Sequence, residues 1–359
     1  MRVVGPTLCT LSGQSLLPRK FSKHSQHLHK TFSALSRDYS SQPCGLQSSS
    51  TRRRLADPEY SRCGRTDKGV SALSQVFALQ LRSSAKVGDV LPEVGQELEY
   101  MSILNRVLPP DIKVLGWRPV SSNFSARFDA TQRGYKYFIV QHGELDIGAM
   151  QEAASYFLGE HDFRSFCKAD VQHVSNFKRT ILDFRIQPEP GISIRGFQVM
   201  SLHIKGTAFL WHQVRCMAAV LMMVGRGQES PKIVQQLLDI HQHPCKPQYN
   251  MANEVPLMLH SCSFQDLQFH QPAAAQQGVQ AAAQEALDHH IVMSAMYMQL
   301  LEKLKAGQKV PPETVVLPLT AGQGPRHLNL LLRAVEPCLE ERLAKFHPPK
   351  DGDGVADFG

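Results

Sequence analysis

Apolar residues recur along the middle of the chain with two distinct periods. Phe77, Leu79 and Leu81 alternate with Ala78, Gln80 and Arg82, the period of a strand. Tyr100 to Val107 reads as a helix halted by Pro109-Pro110. Ile112 to Trp117 and Tyr135 to Val140 read as strands, and Ile147, Met150, Ala154 and Phe157 fall at helical spacing within residues 146–158. Strands are expected again at Ile181–Ile186 and Phe197–Lys205. Val214, Met217, Ala218, Leu221 and Met222 then form one clean helix face, which Gly225 and Gly227 end. Pro231 opens a further helix through Ile233, Val234, Leu237 and Leu238. Intermixed strand and helix patterns of this kind predict an α+β fold.

The flanks lack this regularity. Residues 1–56 sustain no period and are rich in Ser, His, Arg and Lys, with Asp38 their only acid. They read as a disordered basic arm, as a mitochondrial targeting segment, or as a non-native start exon. Residues 57–268 carry the mixed pattern and every motif discussed below. Residues 269–287, rich in Ala, Gln and Gly, read as a low-complexity linker. Residues 288–359 read as a short amphipathic helix, with Ile291, Met293, Met296, Leu300 and Leu304, followed by an irregular tail.

Composition narrows the picture further. A chain of 359 residues, 42% hydrophobic, is long enough for one large or two ordinary cores. No apolar run approaches the length needed to cross a bilayer. The eight cysteines include no C-x-x-C pair, which argues against a zinc site. Buried thiols in a reducing compartment, and no disulfide framework, are therefore expected. The net charge of +7 suggests an anionic partner. Most of that excess lies in residues 1–56, with nine Lys/Arg against one acid, whereas residues 60–270 hold 22 against 19. Any nucleic-acid surface must therefore be built from local clusters. Arg62, Arg65 and Lys68 form one; Arg127, Arg133 and Lys136 form another, interleaved with Phe128, Tyr135 and Tyr137. Cations beside rings suit RNA; a solvated strand face is the plainer reading of the second cluster.

Chemistry concentrates in Cys63-Gly64-Arg65-Thr66-Asp67-Lys68-Gly69-Val70. Gly64 and Gly69 permit backbone angles closed to other residues and predict a tight loop that presents the Asp67 carboxylate. Arg65 and Lys68 favour its ionised form, and a positioned carboxylate is a nucleophile. An ordinary Asp-Gly turn explains a shorter match equally well.

The full string resembles the catalytic motif of the TruA-type tRNA pseudouridine synthases. Ser125-Ala126-Arg127-Phe128 with Arg133-Gly134-Tyr135-Lys136-Tyr137, then Gly159-Glu160-His161-Asp162-Phe163, then Phe209-Leu210-Trp211-His212-Gln213-Val214-Arg215, are similar to the family's later blocks in order and spacing, from about Tyr60 to Gln268. Asn105-Arg106-Val107-Leu108-Pro109-Pro110-Asp111-Ile112 and His212-Gln213-Val214-Arg215-Cys216-Met217 resemble the eukaryotic branch that modifies uridines 38 and 39 of the tRNA anticodon arm.

The resemblance implies two ferredoxin-like halves joining a mixed sheet around a basic cleft, a homodimer, tRNA as partner, and no metal or small-molecule cofactor. It makes Asp67 the essential carboxylate, acting by attack at C1′ or by assisting elimination to a glycal. It makes Tyr135 the residue that stacks on the base and helps remove the C5 proton, and Arg215 the cation paired with the carboxylate. Arg65 would flip or replace the target base, Leu257 would pack beneath it, and Lys68, Arg127 and Arg133 would bind substrate. By spacing alone Tyr137 shares the strand face of Tyr135, and Arg215 fits an exposed polar helix side as well as a buried ion pair. His161-Asp162 reads as a loop organiser. The nucleus or cytoplasm is the expected compartment, or the mitochondrion if residues 1–56 are a transit peptide. The family's first strand has no recognisable counterpart in residues 1–56. Its loss would leave a sheet edge unpaired, so the alternative reading is a truncated, catalytically inactive RNA-binding relative.

Overall fold

The computed structural model describes residues 2–9, 60–81, 83–84, 94–140, 145–194, 197–305 and 327–346, with the backbone alone for 2–9, 192–194, 197, 305 and 346. The expectation for residues 10–56 falls outside them. In chain order the elements are β1 (Arg2–Cys9), β2 (Ser61–Arg62), β3 (Ser71–Gln80), α1 (Tyr100–Val107), β4 (Ile112–Val114), β5 (Arg118–Val120) and β6 (Ala130–Val140). There follow α2 (Ile147–Ser155), β7 (Gly159–Asp162), β8 (Lys178–Ile194), β9 (Phe197–Gly206), α3 (Gln213–Gly225), α4 (Ile233–Leu238), β10 (Leu257–Phe264), α5 (Ala273–Lys305) and α6 (Leu339–Phe346). The class is α+β, as the two periodicities require. No helix among the described residues is long and apolar enough to cross a membrane.

The chain divides into two compact units, residues 1–134 with 254–314, and residues 135–253 with 315–359. In the first, strands are ordered β4-β1-β3-β10-β6, with β2 on β3 and β5 on β1. β1 runs antiparallel to β3 from Arg2↔Gln80 to Cys9↔Ala72. Its other side pairs with β5 through residues 2–4 and with β4 through residues 7–9. A strand therefore occupies the place that the sequence left empty. Gly5-Pro6 concealed it: proline supplies no N–H, but these two residues sit where the outer partner changes from β5 to β4.

β3 is buried on both faces. Phe77 and Leu79 pack with Tyr100, Met101 and Leu104 of α1, with Ile112, Val114 and Trp117, and with Val279 of α5. Val76 and Ala78 turn the other way, onto Cys63, Ala126 and Ala130, with Phe124, Cys262 and Phe264 packed alongside. This is why residues 75–79 are continuously buried where alternation predicted one wet face.

α5 corrects the expected linker and short helix. One 33-residue helix spans both, because Ala and Gln are strong helix formers whatever their low complexity.

The second unit orders its strands β6-β9-β8-β7. β8 and β9 form an antiparallel pair, and β7 pairs with the start of β8. α2 and α3 pack together, and α2 also lies against β8. Phe157, Phe163, Phe166 and Phe184 form an aromatic cluster, with Phe157 edge-on to Phe166 at 4.9 Å and stacked with Phe184 at 5.7 Å.

The tail expected to be irregular is docked in this unit. Gln248 N–H donates to Ala334 O and Glu336 N–H to Lys246 O, and Leu330 is fully buried. Cys245 and Cys338 form a disulfide across 93 residues. That pair corrects the expectation of thiols alone. Cys63, Cys167 and Cys216 are buried thiols and Cys262 is a half-buried one; burial pushes the Cys167 thiol up to about 12.

Candidate functional site

In the first unit the Asp67 loop is a built turn at the head of β3. Val70 N–H donates to Asp67 O at 3.1 Å, and Gly69 at the third position has φ +87°, the geometry of a type II turn. Only Gly69 of the two loop glycines uses the left-handed region. Gly64 is held instead by the buried Gln75 carboxamide, which accepts from Gly64 N–H at 3.0 Å and donates to Gly64 O at 2.9 Å. Cys63 N–H continues the ladder to Val76 O at 2.9 Å. Asp67 is half-exposed; Arg65 and Lys68 are exposed on either side of it.

β10 runs parallel to β3 with Met258↔Ser71 and Leu259↔Ala72. That register sets buried Leu257 level with Val70, so the structure brings the candidate base-packing leucine to the end of the Asp67 turn. Leu257 N–H donates to Glu254 O, and a Cβ on Gly69 would meet Glu254 Cγ at 2.5 Å. Gly69→Ala therefore incurs both a left-handed φ and a clash. The expected cost is about 1–2 kcal/mol, read as a lowered Tm; unchanged stability would show that the turn accommodates a side chain.

Arg127 and Arg133 separate in role. Arg133 Nη1 donates to Ala130 O at 2.9 Å, and its Nη2 donates to Cys63 O at 3.2 Å and Arg127 O at 2.5 Å. It braces the Asp67 loop against the Arg127 turn, whereas Arg127 itself is exposed. Lys136, of the same expected basic cluster, is committed to Glu189 at 2.9 Å. Cys63 and Cys262 hydrogen-bond each other. That bond, and then the Arg133 charge, hold the Cys63 thiol below its ordinary value although burial pushes it up.

The second unit holds Tyr135 and Arg215. Along the odd face of β6 burial deepens from half-buried Arg133 and Tyr135 to fully buried Tyr137 and Ile139. Tyr137 is thus a core residue, while Tyr135 keeps part of its ring exposed and meets Phe209 edge-on at 5.0 Å. Arg215 lies in the first turn of α3 and is buried, 9% exposed, which removes the reading of a solvated helix side. Its Nε donates to Ala252 O at 2.8 Å. His212, the N-cap of α3, has φ +61°. Asp162 accepts from the Arg164 backbone and guanidinium, the loop-organising arrangement. Among the described residues no cluster of three His, Cys, Asp or Glu stands ready to hold a metal ion.

The sequence reading missed Gln75 and Glu254, and quoted Phe209 only as part of a motif. Gln75 carried one signal, a polar residue within the apolar run of β3; Glu254 meets Gly69 only through tertiary packing.

The Gly69 turn thus sets the Asp67 carboxylate at the head of the paired parallel strands. The family model described as tRNA pseudouridine synthase matches residues 153–265. The tRNA pseudouridine(38/39) synthases of Bos taurus and Homo sapiens are 40% and 43% identical to it, over 80% and 74% of the chain. The alignments span 61% and 56% of those two proteins, so the chain corresponds to little more than half of their length. The tRNA pseudouridine synthase A of Methylobacillus flagellatus is 32% identical over 57% of the chain, and 82% of that protein is covered. The chain belongs to the TruA-type family of tRNA pseudouridine synthases.

Proposed function

We propose that this chain isomerises uridine to pseudouridine in the anticodon arm of tRNA, at the positions named for its mammalian relatives. The observation that carries the proposal is the Asp67 turn, held by Gln75, Gly69 and Arg133 at the head of β3. In the reaction the N1–C1′ bond breaks, the detached uracil rotates, C5 bonds to C1′, and the C5 proton leaves as N1 gains one. Atoms balance with no co-reactant. Asp67 acts at the sugar, Tyr135 and Arg215 take the roles that the resemblance implies, and Leu257 with Arg65 receives the base. Base eversion costs unstacking energy that these contacts offset. The inactive-relative alternative rested on a missing strand, and β1 now fills that place. Incubation with tRNA tritiated at uridine C5 tests the proposal. Release of tritium to water is the expected result; tRNA binding without release would revive the inactive relative.

We also propose a homodimer built on α5. Ala275 and Val279 pack on the first unit's core, but Leu287, Ile291, Val292, Met296, Leu300 and Leu304 are each more than half exposed. Exposed apolar side chains clustered in this way on one helix are normally covered, and burying them yields about 1.5–3 kcal/mol each. Light scattering should give a dimer mass, and Ile291→Asp with Leu300→Asp a monomer; a monomeric parent would overturn this.

A further inference from the structure

We propose that Phe128 is an RNA-contact residue that stacks on an unpaired base of the substrate, next to the nucleotide delivered to Asp67. The inference rests on the tRNA reading above and adds a residue to it. Phe128 is 77% exposed, whereas Phe124, four residues earlier, packs against Phe264 with ring centroids 5.7 Å apart. The exposure is built into the turn. Ser125 N–H donates to Asp129 Oδ2 at 2.8 Å, and Asp129 N–H donates back to Ser125 O at 2.9 Å. Ala126, fully buried, donates its N–H to Ser61 Oγ at 3.0 Å. Arg133 holds Arg127 O from behind. These bonds fix the backbone on both sides of Phe128, and its ring stands 77% exposed.

The same bonds tie the turn to the catalytic loop. Ser61 precedes Cys63 on the approach to Asp67, and Arg133 joins Cys63 O to Arg127 O through one guanidinium nitrogen. A base held on the ring is therefore in fixed register with the Asp67 turn. The neighbouring cation defines the ligand's chemistry. The Arg127 guanidinium lies over one face of the Phe128 ring, 5.1 Å from its centroid, so the opposite face is the one offered to a base. A flat apolar face for a base beside a cation for its phosphate is the combination that single-stranded RNA demands; an apolar protein pocket has no use for the charge.

The test compares the full chain and its Phe128→Ala, Phe128→Tyr and Arg127→Gln variants on tRNA. Because the ring is exposed, Phe128→Ala should leave Tm unchanged. It should weaken tRNA binding about tenfold with the same salt dependence, and Phe128→Tyr should restore binding. Arg127→Gln should instead lower the slope of log affinity against log salt by about one. A 2-aminopurine placed among the unpaired nucleotides flanking the target uridine should be quenched by the parent and not by Phe128→Ala. Parent-like affinity and quenching in Phe128→Ala, with tritium release intact in the parent, would overturn the inference alone. Loss of self-association without loss of tRNA affinity would assign the ring to a protein contact and overturn it too. A parent that neither binds tRNA nor releases tritium would remove the functional reading itself.

Discussion

Asp67→Asn will abolish pseudouridine formation and leave the protein folded. The substitution preserves the shape of the side chain and keeps the Val70 N–H to Asp67 O turn bond, which uses backbone only. The reciprocal amide pair between Gln75 and Gly64 is also untouched. What disappears is the anionic oxygen that the proposed function assigns to the chemistry at the sugar. Loss of a catalytic nucleophile lowers turnover by about 10³-fold or more, equivalent to about 4 kcal/mol of transition-state stabilisation. tRNA affinity should survive, since the exposed Arg65, Lys68 and Arg127 remain. Tritium release from C5-labelled tRNA, measured beside circular dichroism and filter binding, separates these outcomes. Residual release within tenfold of the parent would show that another group performs the chemistry.

Glu229→Ala will release the C-terminal segment from the second unit. The Glu229 side chain is fully buried and receives three bonds from that segment. Leu330 N–H donates at 2.7 Å, Asn329 Nδ2 at 2.8 Å, and His327 Nε2 lies 2.8 Å away. Removing the carboxylate strands the buried Leu330 N–H, at a cost of about 1–3 kcal/mol, while the exposed Asn329 amide turns to water. The Cys245–Cys338 disulfide still tethers the segment from its other end. Protease sensitivity near residues 327–336 should therefore rise in the variant, and rise further once reductant is added. Equal resistance of variant and parent under reducing conditions would mean that the β-bridge of Pro247 with Val335 and the Leu330 anchor suffice.

Several elements were legible in advance because the decisive physics is local. α1 has the limits read from its apolar spacing and from Pro109-Pro110. α3 follows the stripe from Val214 to Met222 and stops at Gly225. The Asp67 turn was recognisable because its glycines, carboxylate and cations are contiguous. β1 was not legible, since Gly5-Pro6 breaks any local signal and the strand exists through three partners distant in sequence. α5 was misread because low complexity was equated with a linker, although its residues favour a helix.

By itself the sequence determined the α+β class and most element types, because periodicity and motif spacing are properties of neighbouring residues. Tertiary structure alone decided the rest. It showed that Tyr137 is core and Tyr135 is not, since depth along a strand depends on what covers each end. It gave Arg133 a bracing role, because the carbonyls of Cys63, Arg127 and Ala130 converge there only in the fold. It also joined Cys245 to Cys338, a pairing set by spatial proximity that no spacing in the chain encodes.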